Sequence, residues 1–186
     1  MNMKLIAGAL AGLAEISGAA EEKESRKDLL KLWKEWRAFE APVVENCAPD
    51  YSPAAMARKA EGLATFKARL AAIKTDKWSV RDKTDYALTL AEMNGLDFDL
   101  RVLQPWARDP SFYASVFGEE SDVPEHEGPN ARPAIDLYTY HYPLSDADQR
   151  DLACRLGAAP ALLAQAKENL KASNARDLWA YGDRAF

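Results

Sequence analysis

Histidine and cysteine are the scarce residues of this chain, with two of each in 186. That scarcity removes whole classes of chemistry. Cys47 and Cys154 do not share a Cys-x-x-Cys spacing and are too few for a disulfide framework or a thiolate zinc site. They could pair in an oxidising compartment, but two isolated buried thiols are the favoured reading. His126 and His141 are the only imidazoles, which leaves a nucleophile triad little choice of base. No serine or cysteine stands in a recognisable nucleophile setting, and no glycine-rich phosphate loop is present. Basic runs are missing too. With a net charge of -5 the chain has no electrostatic footprint for a phosphate backbone, which argues against nucleic acid as a partner.

What is present is ordinary globular material: 48% hydrophobic and 28% charged residues, enough for one domain with a sizeable core. At the N-terminus Lys4 precedes an apolar stretch, Leu5 to Ala14, and then the small residues Ser17-Gly18-Ala19-Ala20. That is the order of a secretory signal, and it is too short for a membrane span. Glu15 sits badly in such a leader, and the alternative is an alanine-rich first helix. The boundaries that follow are a candidate signal peptide over 1–20 and a helical domain over 21–186. A periplasmic or secreted address is expected if the signal is real, and a cytoplasmic one otherwise.

The periodicity is helical almost throughout. Leu29, Leu30, Leu32, Trp33, Trp36 and Phe39 repeat at a spacing of three to four, which predicts a helix from Glu21 to about Phe39. A breaker-rich connector follows, from Pro42 through Cys47 and Pro49 to Tyr51. Ser52-Pro53 opens the next helix, with an apolar stripe of Met56, Leu63, Phe66, Leu70 and Ile73. Ser79 with Asp82 has the spacing of a capping box for a helix reaching about Leu103 before Pro105. Gly95 inside it marks close packing or a bend. A short helix is expected over Arg108–Phe117 and an exposed loop over Gly118–Pro133. Asp136–Pro143 reads as a short helical or extended packing segment, since no partner strand is visible. Ser145 with Asp148 caps a helix that Gly157 should stop, and Pro160 opens another running to about Ala172. The fold class is all-α, an irregular multi-helix array or bundle.

Few constellations could carry chemistry. His126-Glu127 begins like a His-Glu-x-x-His zinc site, but Gly128, Pro129 and Asn130 follow and no second ligand appears. Asp85, Glu92 and Asp99 recur every seven residues on one helical face, where Arg81, Lys83 and Arg101 are near enough to make it a solvated surface. Asp97 and Arg101 have the spacing of a surface pair. Trp106 and the alternating Tyr138, Tyr140 and Tyr142 could face a groove or partner, although aromatics on helices are more often core.

Several stretches taken in order resemble the N-terminal part of the bacterial domain of unknown function 885 family. They are Tyr51-Ser52-Pro53, the run from Asp85-Tyr86 through Ala91-Glu92-Met93-Asn94-Gly95-Leu96-Asp97-Phe98-Asp99-Leu100, Pro105-Trp106-Ala107-Arg108-Asp109-Pro110-Ser111-Phe112-Tyr113, and Leu156-Gly157-Ala158-Ala159-Pro160 through Asn169-Leu170. Family members are mostly helical, often exported, and look like zinc-dependent peptidases whose His-Glu-x-x-His motif lies late in the chain. The resemblance implies a front scaffold segment of a larger metallopeptidase-like fold, inactive alone. The implied partner is a C-terminal catalytic part or another chain, with peptide as the implied substrate and zinc as the implied cofactor of the whole. It assigns no catalytic, cofactor-binding or metal-binding residue here, because nothing in this sequence matches the metal motif. The alternative is a stand-alone helical binding module.

Overall fold

The computed structural model describes residues 25–113, 116–117, 135–172 and 175–182, so the candidate leader and the whole expected 118–133 loop, with His126 and Glu127, lie outside the described residues. The fold is all-α. Its helices are α1 (25–40), α2 (Pro53–Ala71), α3 (Val80–Phe98), the single turn α4 (Pro105–Arg108), α5 (Asp146–Gly157), α6 (Ala159–Asn169) and α7 (Arg176–Gly182). Two strand pairs of two residues per strand complete it: β1 (Val44–Glu45) antiparallel to β2 (Ala48–Pro49), and β3 (Val116–Phe117) parallel to β4 (Ile135–Asp136). The chain gathers into two compact units. Among the described residues, the first contains 25–38 and Gly62–Leu96, and the second Phe39–Glu61 and those from Asp97 on.

In the first unit, Leu29, Leu32 and Trp36 of α1 fall at helical spacing and are buried. They share the core with Leu63 and Leu70 of α2, Trp78 of the α2–α3 connector, and Met93 and Leu96 of α3. Trp36 meets Phe66 edge to face at 5.7 Å between ring centres. Leu30 lies on the exposed side of α1 rather than in the expected stripe. Ser79 caps the start of α3: its Oγ accepts from the Asp82 amide (3.2 Å) and donates to the Asp82 carboxylate (2.7 Å), so the carboxylate closes on the hydroxyl rather than on the Ser79 amide that a full capping box uses. Gly95 sits within unbroken α-helix, and a Cβ built there would meet nothing within 4 Å, so it marks neither a close approach nor a bend.

The helical ladder changes instead after Phe98. Residues Asp99–Leu103 form a π-turn that ends on Gln104 at a left-handed φ of 46°. The short helix expected over 108–117 is replaced by three pieces: α4, a 3-10 turn at Pro110–Tyr113, and β3. Pro110 holds Asp109 in extended backbone, and the Asp109 carboxylate then accepts from both the amide and the hydroxyl of Ser111. Segment 135–139 has a strand partner after all, since β4 pairs with β3 before a 3-10 turn at Leu137–Thr139. Ser145 caps α5 in the same way, its Oγ accepting from the Asp148 amide at 3.2 Å and donating to the Asp148 carboxylate at 2.7 Å. Gly157 is the last residue of α5 without a left-handed backbone, and α6 follows after Ala158 alone. In the second unit Tyr51, Ala55, Met56, Leu100, Phe112, Tyr113, Ile135, Ala158, Leu162, Ala166 and Leu170 are buried. Lys59 of α2 donates to the carbonyls of Glu40 (2.7 Å) and Ala41 (3.1 Å), finishing the C-terminal end of α1.

Two substitutions should shift the urea unfolding midpoint in opposite directions. Leu70→Ala removes a fully buried side chain and should cost about 2–5 kcal/mol. Gly95→Ala should add up to about 1 kcal/mol, because the site is helical and open. A destabilised Gly95→Ala variant would show that the glycine meets a demand absent from this geometry.

Candidate functional site

Three of the stretches that carry the family resemblance meet at one place in the second unit. Pro49 to Tyr51 runs extended beside α6, whose Gln165 and Asn169 lie one turn apart. Gln165 accepts from the Tyr51 amide (2.8 Å) and donates to the Pro49 carbonyl (3.0 Å). Asn169 donates to the Tyr51 carbonyl (2.8 Å) and to the Tyr113 hydroxyl (2.9 Å). That hydroxyl in turn donates to the Trp106 carbonyl (2.7 Å). The Tyr51, Phe112 and Tyr113 rings stack edge to face, with the Tyr51 centre 4.9 Å from Phe112 and 6.4 Å from Tyr113. Burial, with Tyr113 adding to it, pushes the Tyr51 phenol well above its ordinary range, and burial also raises Tyr113 against the opposing Asn169 bond. Neither phenol is suited to give up a proton near neutrality. The cluster positions backbone and excludes water, and it holds no nucleophile.

A second feature is a cleft of about 590 Å3 in the first unit, between the start of α1, the end of α2 and the α2–α3 connector. Leu32 and Trp78 are its buried walls, and Trp78 Nε1 donates to Ser25 Oγ at 2.7 Å. Lys31, Arg69, Lys74 and Lys77 outnumber Asp28 and Asp76 around it. Arg69 pairs with Glu35, which holds that carboxyl below its usual range, and covers the Phe66 ring at 5.1 Å. The cleft combines an apolar wall with a cationic rim, a combination that suits binding rather than bond-making.

The residues singled out in the sequence are dispersed. His141 is exposed. Asp85 and Glu92 are paired, but with Arg26 (3.3 Å) and Arg37 (3.9 Å) of α1 rather than with Arg81, Lys83 or Arg101. Arg26 also pairs with Asp82. Asp99 falls in the π-turn beyond α3. Asp97 and Arg101 form the expected pair through two bonds of 2.8 and 2.9 Å. Trp106 is half-buried, Tyr138 and Tyr142 are exposed, and Tyr140 donates to Asp151 at 2.7 Å. Among the described residues no group of three or more His, Cys, Asp and Glu side chains is arranged to hold a metal ion, so they do not fit the zinc that the resemblance implies. No helix among them is long and apolar enough to cross a membrane.

The thiol reading is corrected. Cys47 and Cys154 are joined in a disulfide with 5.8 Å between Cα atoms, and neither is buried: Cys47 is half-buried and Cys154 exposed. Sequence reasoning also missed the roles of Gln165 and Asn169, which look like ordinary polar positions on a helix. Comparison with protein-family models, curated proteins and solved structures returned no match for this chain.

Gln165→Leu strands the Tyr51 amide and the Pro49 carbonyl. It should lower unfolding free energy by about 1–3 kcal/mol, and an unchanged urea midpoint would show that water replaces the side chain. The raised phenols also set an alkaline limit. An unfolded tyrosine ionises near pH 10, whereas the folded Tyr51 and Tyr113 stay protonated to higher pH. Their contribution is therefore complete below about pH 10 and is lost as pH rises toward the folded values. Urea midpoints from pH 8 to 11 should fall at the upper end, and less steeply in Tyr113→Phe.

Proposed function

We propose that this chain is a non-catalytic helical scaffold of the domain of unknown function 885 type, walling one side of a peptide channel. In this reading the metal-binding residues lie in another part of the protein or in a partner chain. The observation that carries it is the convergence of Tyr51-Ser52-Pro53, Pro110-Ser111-Phe112-Tyr113 and the Leu156–Leu170 stretch on a single packed cluster. Residues from three of the stretches behind the resemblance are thus used to pack one cluster, which is the contribution a scaffold makes. The Cys47–Cys154 disulfide supports an oxidising, exported address, in line with the candidate leader over 1–20.

The cationic-rimmed cleft in the first unit favours a second reading, a stand-alone binding module for a ligand with an apolar body and an anionic group. One set of measurements separates the two. The purified chain should take up no stoichiometric zinc and hydrolyse no peptide. Mixed with the His-Glu-x-x-His-bearing remainder of a family protein, it should bind that remainder and raise its peptidase activity. Tight one-to-one zinc with turnover by the chain alone would overturn both readings. Failure to bind or stimulate the remainder would leave the binding module.

A further inference from the structure

The disulfide joins two places of unequal standing. Cys154 lies on α5 and is exposed, whereas Cys47 is the second central residue of the two-residue turn between β1 and β2. Asn46 and Cys47 both have positive φ, 50° and 64°. A hairpin turn of that shape favours Asn followed by Gly, and cysteine at the second position is disfavoured by its Cβ. Residues 43–46 are all exposed, so the tip gains little from packing. The base of the hairpin is held without sulfur: the Asp50 amide donates to the Val43 carbonyl at 2.8 Å, and Gln165 and Asn169 bind Pro49 and Tyr51.

We propose that Cys47–Cys154 is an exchange-competent latch on the hairpin tip, opened by a dithiol oxidoreductase or a small dithiol without unfolding of the second unit. A thiolate of the reductant attacks the exposed Cys154 Sγ, and the Cys47–Cys154 bond breaks with Cys47 leaving as thiolate. The second thiolate of the reductant then attacks its own sulfur bonded to Cys154. Cys154 leaves as thiolate, the reductant ends as a disulfide, and water protonates both cysteines. Two electrons pass from the dithiol to the protein. Once open, the turn loses a covalent bond that opposes the unfavourable backbone of Cys47, and the tip detaches from α5. The latch does not require the scaffold role to be correct.

The test uses the oxidised full chain under native conditions with dithiothreitol. Mass spectrometry after alkylation should find two free thiols. Hydrogen exchange at residues 44–48 should then speed up by about tenfold or more, while the Tyr51 amide and α2 keep their protection. With glutathione the first mixed disulfide should map to Cys154. Reduction only in denaturant, joint loss of Tyr51 and hairpin protection, or a first adduct on Cys47 would each overturn the latch. A pair of variants isolates the turn: Cys47→Gly with Cys154→Ser should protect the hairpin better than Cys47→Ser with Cys154→Ser, because glycine accepts the left-handed backbone. Equal protection in the two would overturn the role given to Cys47.

Discussion

An extended strand-like segment placed against a helix has backbone groups that the helix cannot satisfy, because a helix spends its own amides and carbonyls internally. In the second unit that constraint falls on residues 49 to 51, and two side-chain amides resolve it. Gln165 acts as one peptide group of an absent neighbouring strand, accepting from Tyr51 and donating to Pro49, and Asn169 takes the Tyr51 carbonyl one turn later. With Tyr51 fixed, its ring becomes the post on which Phe112 and Tyr113 lean. The same placement sets the start of α2, since the Ser52 amide donates to Asp50 and the Ser52 hydroxyl accepts from Ala55. From α2, Lys59 reaches back to the last carbonyls of α1 despite the burial that lowers its pKa.

The features legible in the sequence are those decided within a few residues. Ser79 with Asp82 and Ser145 with Asp148 each contain both halves of a cap, so the spacing suffices. The burial of Trp36, Leu63 and Leu70 follows from a 3.6-residue period that needs no knowledge of the partner helix. The all-α class follows from the same signal. What was not legible depends on distant chain or on unusual turn chemistry. The β1–β2 hairpin uses Asn-Cys where the recognisable signal is Asn-Gly. The disulfide depends on residues 107 apart. Gln165 and Asn169 are clamps only because Tyr51 lies opposite, more than a hundred residues earlier in the chain.

The electrostatics follow the same division. Acids on α3 are matched by arginines of α1, Asp82 and Asp85 with Arg26 and Glu92 with Arg37, an arrangement that a reading along α3 alone assigns to near neighbours. The more open of these pairs, Glu92 with Arg37, registers the helices more than it stabilises them, contributing about 0–1 kcal/mol. The buried polar groups around Asn169 are fewer, and each makes a specified bond. Among the described residues, the polar bonds around Asn169 are therefore structural, and those between α1 and α3 orienting.

Because Cys47 is joined to Cys154, the backbone between them is a closed ring that contains all of α2 and α3. A single hydrolytic cut anywhere within that ring leaves one covalent molecule of unchanged mass but for a water. Under oxidising conditions a nicked chain would migrate as one species and come apart only when a reductant is added. The bond thus decides whether such a cut leaves two separate polypeptides or merely opens a loop.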